Sequence, residues 1–220
     1  METKDAVLSR RSIRSFRDNP VPVEIIKKII ETALWAPSWG NTQPWHFTVV
    51  AGKKLSSIKE RSVQLFNDGI PTCPEYEMPE QFIKDQSLRY KELGKGLFGE
   101  LGIERDDKEK RRQHLINMTS CFGAPAVIYL HLDKGFNPYA LIDLGLVMQT
   151  IALLALDEGL GTVFLARSVR YPNAVREYAP IPSDHVLIIG TAIGYPDEDH
   201  PANRFRSSRG NPENFVKYVE

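Results

Sequence analysis

RRSIRSFRDNPVPVEIIKKIIETALWAPSWGNTQPWHFTVVA, residues 10–51, runs from a basic segment through a helix and a loop into a strand, and that order decides how the rest is read. Arg10, Arg11 and Arg14 crowd its first five residues, with Ser12 among them. Near the other end, NRFRSSR (203–209) repeats the combination with Arg204, Arg206, Arg209, Ser207 and Ser208. Guanidinium forks pair bidentately with phosphate oxygens and hydroxyls add neutral donors, so the two clusters suit a phosphate group. Either cluster taken alone also reads as a solvated basic surface. After Pro20 and Pro22, Ile25, Ile26, Ile29, Ile30, Ala33 and Leu34 follow one face of a helix. Pro37 ends it, because proline disfavours helical geometry in the residue before it. Ser38-Trp39-Gly40-Asn41 then form an irregular loop, and the alternating, β-branched run from Trp45 to Ala51 reads as a strand.

Outward from there, Lys53 to Phe66 reads as an amphipathic helix. The stretch from about 67 to 117 carries Pro71, Pro74 and Pro79 and then a highly charged run, which marks an excursion from the core. It is either a lid that sets specificity or an exposed helical pair with no direct role. Pro125 to Leu132 reads as a strand, and Pro138 to Glu158 as one long helix that is apolar nearly all round, at Leu141, Ile142, Leu144, Leu146, Val147, Met148, Ile151, Leu153, Leu154 and Leu156. Such a helix must be covered on several faces, by the core and by a second subunit. Thr162–Ala166 and His185–Ile193 are short apolar strands with a helical turn at 172–178 between them. Helices and strands interleave without regular βαβ repetition, so the expected fold is α+β, a sandwich of helices around a central sheet, in one domain over residues 1–220.

At 220 residues with 42% hydrophobic and 25% charged, the chain can bury a substantial core. Its 28 basic and 28 acidic residues cancel, so no global field recruits nucleic acid or an anionic membrane, and a small anionic ligand fits better. Cys73 and Cys121 make no disulfide scaffold. The opening METKDAVLSRR has no apolar core behind its charges and no run approaches 18 apolar residues, so neither a signal peptide nor a membrane span is expected, and the expected compartment is cytoplasmic. Histidines at 46, 114, 131, 185 and 200 show no pair at ligand spacing, so no metal is expected. Gly94, Gly96 and Gly99 spell G-x-G-x-x-G, but they follow polar, helix-like KDQSLRYKEL rather than a buried strand, and the dinucleotide-binding reading fails on that context.

Taken together, RRSIRSF, APSWGNTQPWHF (36–47) and the arginine-bearing tail, in this order, resemble the FMN-dependent nitroreductase family. Its members typically open with Arg-Arg-Ser-x-Arg-x-Phe and continue with Pro-Ser-x-x-Asn-x-Gln-Pro-Trp. The resemblance extends over nearly the whole chain, through FGAPAVIYL (122–130), GLGTVFLA (159–166) and HVLIIGTAIGYP (185–196). It implies a mainly antiparallel sheet flanked by helices, an intertwined homodimer with flavin sites at the subunit boundary, and ping-pong hydride transfer from NAD(P)H through FMN to a nitroaromatic or quinone. It further implies that Arg10, Arg11, Ser12 and Arg14 hold the ribityl phosphate and the pyrimidine edge, that Arg206 and Arg209 close over the phosphate, with Arg204 a weaker candidate, and that Pro37, Ser38, Trp39 and Asn41 reach the flavin of the other subunit. The backbone at Leu165, Ala166 and Arg167 would face flavin N5, where no protein side chain need act as acid or base. Members often carry Gly or Glu-Gly where Ala166 and Arg167 stand, an exchange that would bring an added cation near the ring. The same resemblance embraces reductive dehalogenases and a flavin-fragmenting enzyme. The former usually read Ser-Gly-Ala-His-Thr-Glu-Pro-Trp where this chain has Ser38 to Trp45. A non-catalytic FMN-binding protein is the remaining alternative.

Overall fold

The computed structural model describes residues 1–79 and 81–220; Glu80, inside the expected 67–117 excursion, lies outside the described residues. Four strands, β1 (His46–Ala51), β2 (Ala126–Asp133), β3 (Gly161–Leu165) and β4 (His185–Gly194), form one antiparallel sheet in the order β1-β2-β4-β3. Every residue of β2 from Ala126 to Leu132 is buried, as a central strand covered on both faces requires. Its side chains alternate with the two-residue period of a strand. Val127 and Tyr129 join a cluster with Leu55 and Ile58 of α3 (Gly52–Asn67) and Val175 of α7 (Pro172–Tyr178). Ile128, Leu130 and Leu132 join the opposite cluster, with Ile26, Ile29 and Ala33 of α2 (Val23–Ala33) and Leu144, Val147, Ile151 and Ala155 of α6 (Tyr139–Asp157). The expected sandwich is therefore present, with one core on each face of the sheet.

α2 buries the isoleucine face that the sequence pattern predicts, but it stops at Ala33, short of Pro37. A turn closed by Ala36 N–H to Ala33 O (2.9 Å) follows it. α6 is long and apolar enough to cross a membrane by length and composition, which the sequence reading did not expect. Its buried face instead packs on the sheet and on α2, and Asp143 within it is buried as well. Burying a Leu or Ile side chain contributes roughly 1.5–3 kcal/mol. α6 leaves that unrealised at Ile142 and Leu146, which stay exposed beside Tyr139.

The excursion folds into two helices, α4 (Lys84–Glu100) and α5 (Lys108–Thr119). Gly94, Gly96 and Gly99 all lie inside α4, away from any helix N-terminus where backbone N–H groups would meet a pyrophosphate. Gly96 has a different use. A Cβ there would come within 2.8 Å of the Phe205 ring, so the glycine lets the C-terminal segment lie against α4.

The short helix α1 (Thr3–Ser9) leads into the basic segment, which runs alongside β3 as a fragment of an extra strand. Ser12 bridges Thr162 in parallel, Ile13 N–H donates to Thr162 O (3.0 Å), and Arg17 N–H donates to Tyr195 O (2.9 Å). Gly161 is required at this crossing, because a Cβ on it would run into Ile13. The sheet edge thus fixes where Arg10, Arg11 and Arg14 stand.

Candidate functional site

The tail arrives beside that edge strand through α8 (Pro201–Arg204) and one buried asparagine. Asn203 is fully buried, and its side chain accepts from Arg14 N–H (2.6 Å) while donating to the carbonyls of Ser15 (2.7 Å) and Asp197 (2.8 Å). One amide therefore ties the two arginine segments together, 189 residues apart in the chain. It lies inside NRFRSSR, a stretch whose sequence signal is its arginines and serines rather than this asparagine.

Between the two segments is a cavity of about 90 Å3, lined by Arg10, Arg11, Ser12, Arg14, Arg206, Ser207 and Arg209 with Leu93 and Phe205. Arg204 does not line it. Among the described residues no carboxylate pairs with any of these five guanidinium groups. Burial, and then the like charges of Arg209 and Arg206, lower the pKa of Arg10, and burial lowers that of Arg14. Arg11 Nε is buried and has no hydrogen-bond partner among the described residues. Some donors are already used: Arg206 Nη1 donates to Leu8 O (2.7 Å), and Arg209 Nη1 to Ser207 Oγ (2.8 Å). Positive charge this concentrated, partly desolvated and without a carboxylate partner among the described residues calls for an oxyanion.

The small cavity opens, past Ser12, Arg14 and Leu93, into a cleft of about 1420 Å3. One wall is the end of β3 and the turn after it, Val163 to Arg167, with Phe122. The other is α4 and α5, which contribute Leu97, Phe98, Leu115 and Met118. The 67–117 excursion is thus a wall of the cleft rather than a bystander. His114 faces the cleft, and its pKa is lowered by burial and then by Arg14, which favours the neutral imidazole. The Arg167 side chain is committed elsewhere: its Nε donates to Leu115 O (3.2 Å) and Thr119 Oγ1 (2.7 Å), and its guanidinium lies 4.8 Å over the Phe66 ring.

The twelve cofactor-binding residues named from the sequence divide between two places. Arg10, Arg11, Ser12, Arg14, Arg206 and Arg209 meet at the small cavity, and Leu165 and Ala166 lie along the cleft that continues from it. Pro37, Ser38, Trp39 and Asn41 line neither and do not meet them within one chain. Their loop rests on α6, where Trp39 N–H donates to Asp143 Oδ1 (3.0 Å) and the Trp39 ring lies 4.5 Å from that of Tyr139. Gly40 (φ 54°), Asn41 (φ 58°) and Gln43 (φ 48°) hold it in left-handed geometry, which glycine and asparagine tolerate best. Trp39 is 63% exposed, whereas Trp45 is a core residue at 5%, so the two tryptophans of the motif have different jobs.

Known proteins resemble this chain in sequence and fold along its whole length. The model of the nitroreductase family matches residues 7–195. A 4-nitrobenzoate reductase of Nocardioides sp. (strain LMS-CY) is 30% identical, over 100% of this chain and 91% of its own length. The nitrobenzene nitroreductase of Ectopseudomonas oleovorans is 31% identical, over 98% of this chain and 96% of its own. Among solved structures, the FMN and NADPH-dependent nitroreductase NfnB from Sphigopyxis sp. strain HMH superposes with a TM-score of 0.95 at 31% identity, covering 100% of both chains.

Proposed function

The chain belongs to the nitroreductase family, and from that premise we propose that it is an FMN-dependent oxidoreductase that uses NAD(P)H to reduce nitroaromatic acceptors, with quinones as a second acceptor class. The observation that carries this reading is the arginine-lined cavity opening into a long cleft. Five guanidinium groups without a carboxylate partner among the described residues, together with the orphaned Arg11 Nε, fit a terminal phosphate, and the cleft beyond has room for a planar ring system. Arg10, Arg11, Ser12, Arg14, Arg206 and Arg209 would hold the phosphate end, with Leu165 and Ala166 beside the ring. Bound there, FMN would supply two-electron redox chemistry between NAD(P)H and the acceptor, and the turnover is proposed to be ping-pong.

The chain's own residues bind, orient and shield. Leu97, Phe98, Met118 and Phe122 give the cleft apolar walls that exclude water, and low local dielectric strengthens every charge interaction inside it. Arg14 sits where the cavity meets the cleft, so its partly desolvated charge favours negative charge building up in the ligand. No side chain is assigned as acid or base. Purified protein is expected to release FMN, not FAD, on denaturation, and to oxidise NAD(P)H with 4-nitrobenzoate or menadione in initial-rate plots of parallel lines. Recovery of FAD, or FMN bound with no turnover on any acceptor, would refute the enzyme reading.

The same proposal takes residues 1–220 as one domain working as a homodimer. Pro37, Ser38, Trp39 and Asn41 then reach the cofactor only across a subunit boundary. Support comes from the surface around them: Trp35, Trp39, Tyr139, Ile142 and Leu146 are all exposed in one chain, along α6 and the loop it carries. Obligate interfaces resemble a core cut in half, and this stripe has that composition. Sedimentation should show a dimer, which Ile142→Glu with Leu146→Glu converts to a monomer that has lost FMN. A folded wild-type monomer holding FMN would rule out the shared site.

A further inference from the structure

Three of the five histidines, which show no ligand spacing in the sequence, meet at one end of the sheet. His46 of β1 is the register partner of His131 of β2, and Asp133 of β2 is the partner of His185 of β4. His131 and Asp133 are two residues apart on one strand, so both project to the same face, and directly opposed residues share a face. His185 Nε2 lies 2.9 Å from Asp133 Oδ1, and His46 Nε2 lies 3.6 Å from the same oxygen. The three ligand atoms of His46, Asp133 and His185 all fall within 4.8 Å of one another. Metal–ligand bonds of about 2.0–2.1 Å in a tetrahedral site put ligand atoms about 3.3 Å apart, so small rotations of two exposed side chains suffice.

We propose that His46, Asp133 and His185 form a binding site for a divalent transition-metal ion, separate from the arginine-lined cleft and clipping β1, β2 and β4 together. Two imidazoles and one carboxylate suit Zn2+ or a neighbouring first-row ion, and the exposed sides of His46 and Asp133 leave the remaining positions to water. The second observation lies behind the ligands. His185 Nδ1 is 2.7 Å from His131 Nδ1, and His131 Nε2 is 3.0 Å from Thr48 Oγ1. With the metal on His185 Nε2, its Nδ1–H donates to His131 Nδ1, and His131 Nε2–H donates to Thr48. Every proton in that chain has a place, and a ligand histidine whose other nitrogen is so held is the usual arrangement in metal sites. The neighbouring cation Arg176 is paired with Glu75 at 2.7 Å, which offsets part of the repulsion it would exert on a bound ion.

Calorimetric titration of the untagged, chelator-treated protein with ZnCl2 is expected to show about one saturable site per chain. His46→Ala and Asp133→Asn remove ligands whose side chains are 44% and 68% exposed, so the fold should survive, and each should weaken Zn2+ binding more than about tenfold. His200→Ala should bind as wild type does. Imidazole NMR signals of His46 and His185 should shift on Zn2+ addition while those of His114 and His200 stay. Absence of saturable binding, or equal binding by wild type and His46→Ala, would overturn the proposal and leave the cluster an Asp–His–His–Thr hydrogen-bond chain.

Discussion

Arg10→Ala and Arg209→Ala are each expected to weaken FMN binding roughly ten- to hundredfold, because a charge-assisted contact is worth about 1.5–3 kcal/mol and about 1.4 kcal/mol is tenfold. The stability of the ligand-free protein should move the other way, or not at all. Arg10 is held below its usual pKa by burial and by the like charges of Arg209 and Arg206, so the empty site is self-repelling and losing one guanidinium relieves it. A merely structural role would lower stability and affinity together. Arg209→Lys should fall between wild type and Arg209→Ala, since lysine keeps the charge but loses the planar fork. Riboflavin, which lacks the phosphate, should bind all variants with similar, weak affinity. Fluorescence titration of chelated, ligand-free protein measures each case. Unchanged FMN affinity in both alanine variants would return the two clusters to the status of solvated surface.

Local pattern carried the elements, and long-range register hid part of what they assemble. The isoleucine spacing of α2, the β-branched run of β1 and the mostly apolar stretch of β2 are each visible within ten or so residues, and each element formed over that stretch. The arginine clusters were legible as charge, and the sheet edge then explains their meeting: Ile13 on Thr162 fixes one, Asn203 fixes the other. Nothing local marks Asn203 among its arginines, because its role is set by Arg14, Ser15 and Asp197 far away in the chain. The histidine cluster was invisible for the same reason. Positions 46, 131 and 185 have no spacing rule in common, and only the pairing of β1 with β2 and β2 with β4 brings them together. The charged run at 84–117 gave its helices but not their use, since the cleft they wall has its other side on β3.

Asn203→Ala is expected to have the larger effect on the fold, and to damage the site without touching a phosphate-binding group. Three hydrogen bonds to backbone disappear from a position with no solvent exposure, at roughly 0.5–1.5 kcal/mol each, for a total of about 2–4 kcal/mol. In a chain of this length about 1 kcal/mol shifts Tm by roughly 2–4 °C, so a fall on the order of 10 °C should be seen by calorimetry. Asn203→Asp tests hydrogen bonding against packing, because it keeps the shape. Its carboxylate would still accept from Arg14 N–H but would face the Ser15 and Asp197 carbonyls with no donor, so it should be at least as harmful as alanine at neutral pH. Protonation restores one donor, so its deficit relative to wild type should shrink as pH falls through the raised pKa of that buried acid. Asn203 acts as a positioning residue, joining Arg14 to the tail that carries Arg206 and Arg209, so loosening it should separate the two halves of the cavity. FMN affinity should therefore drop in both variants while riboflavin binding holds, and saturating FMN should recover part of the lost Tm. A destabilised Asn203→Ala protein that binds FMN as tightly as wild type would confine the asparagine to the fold and break the link from this amide to the site.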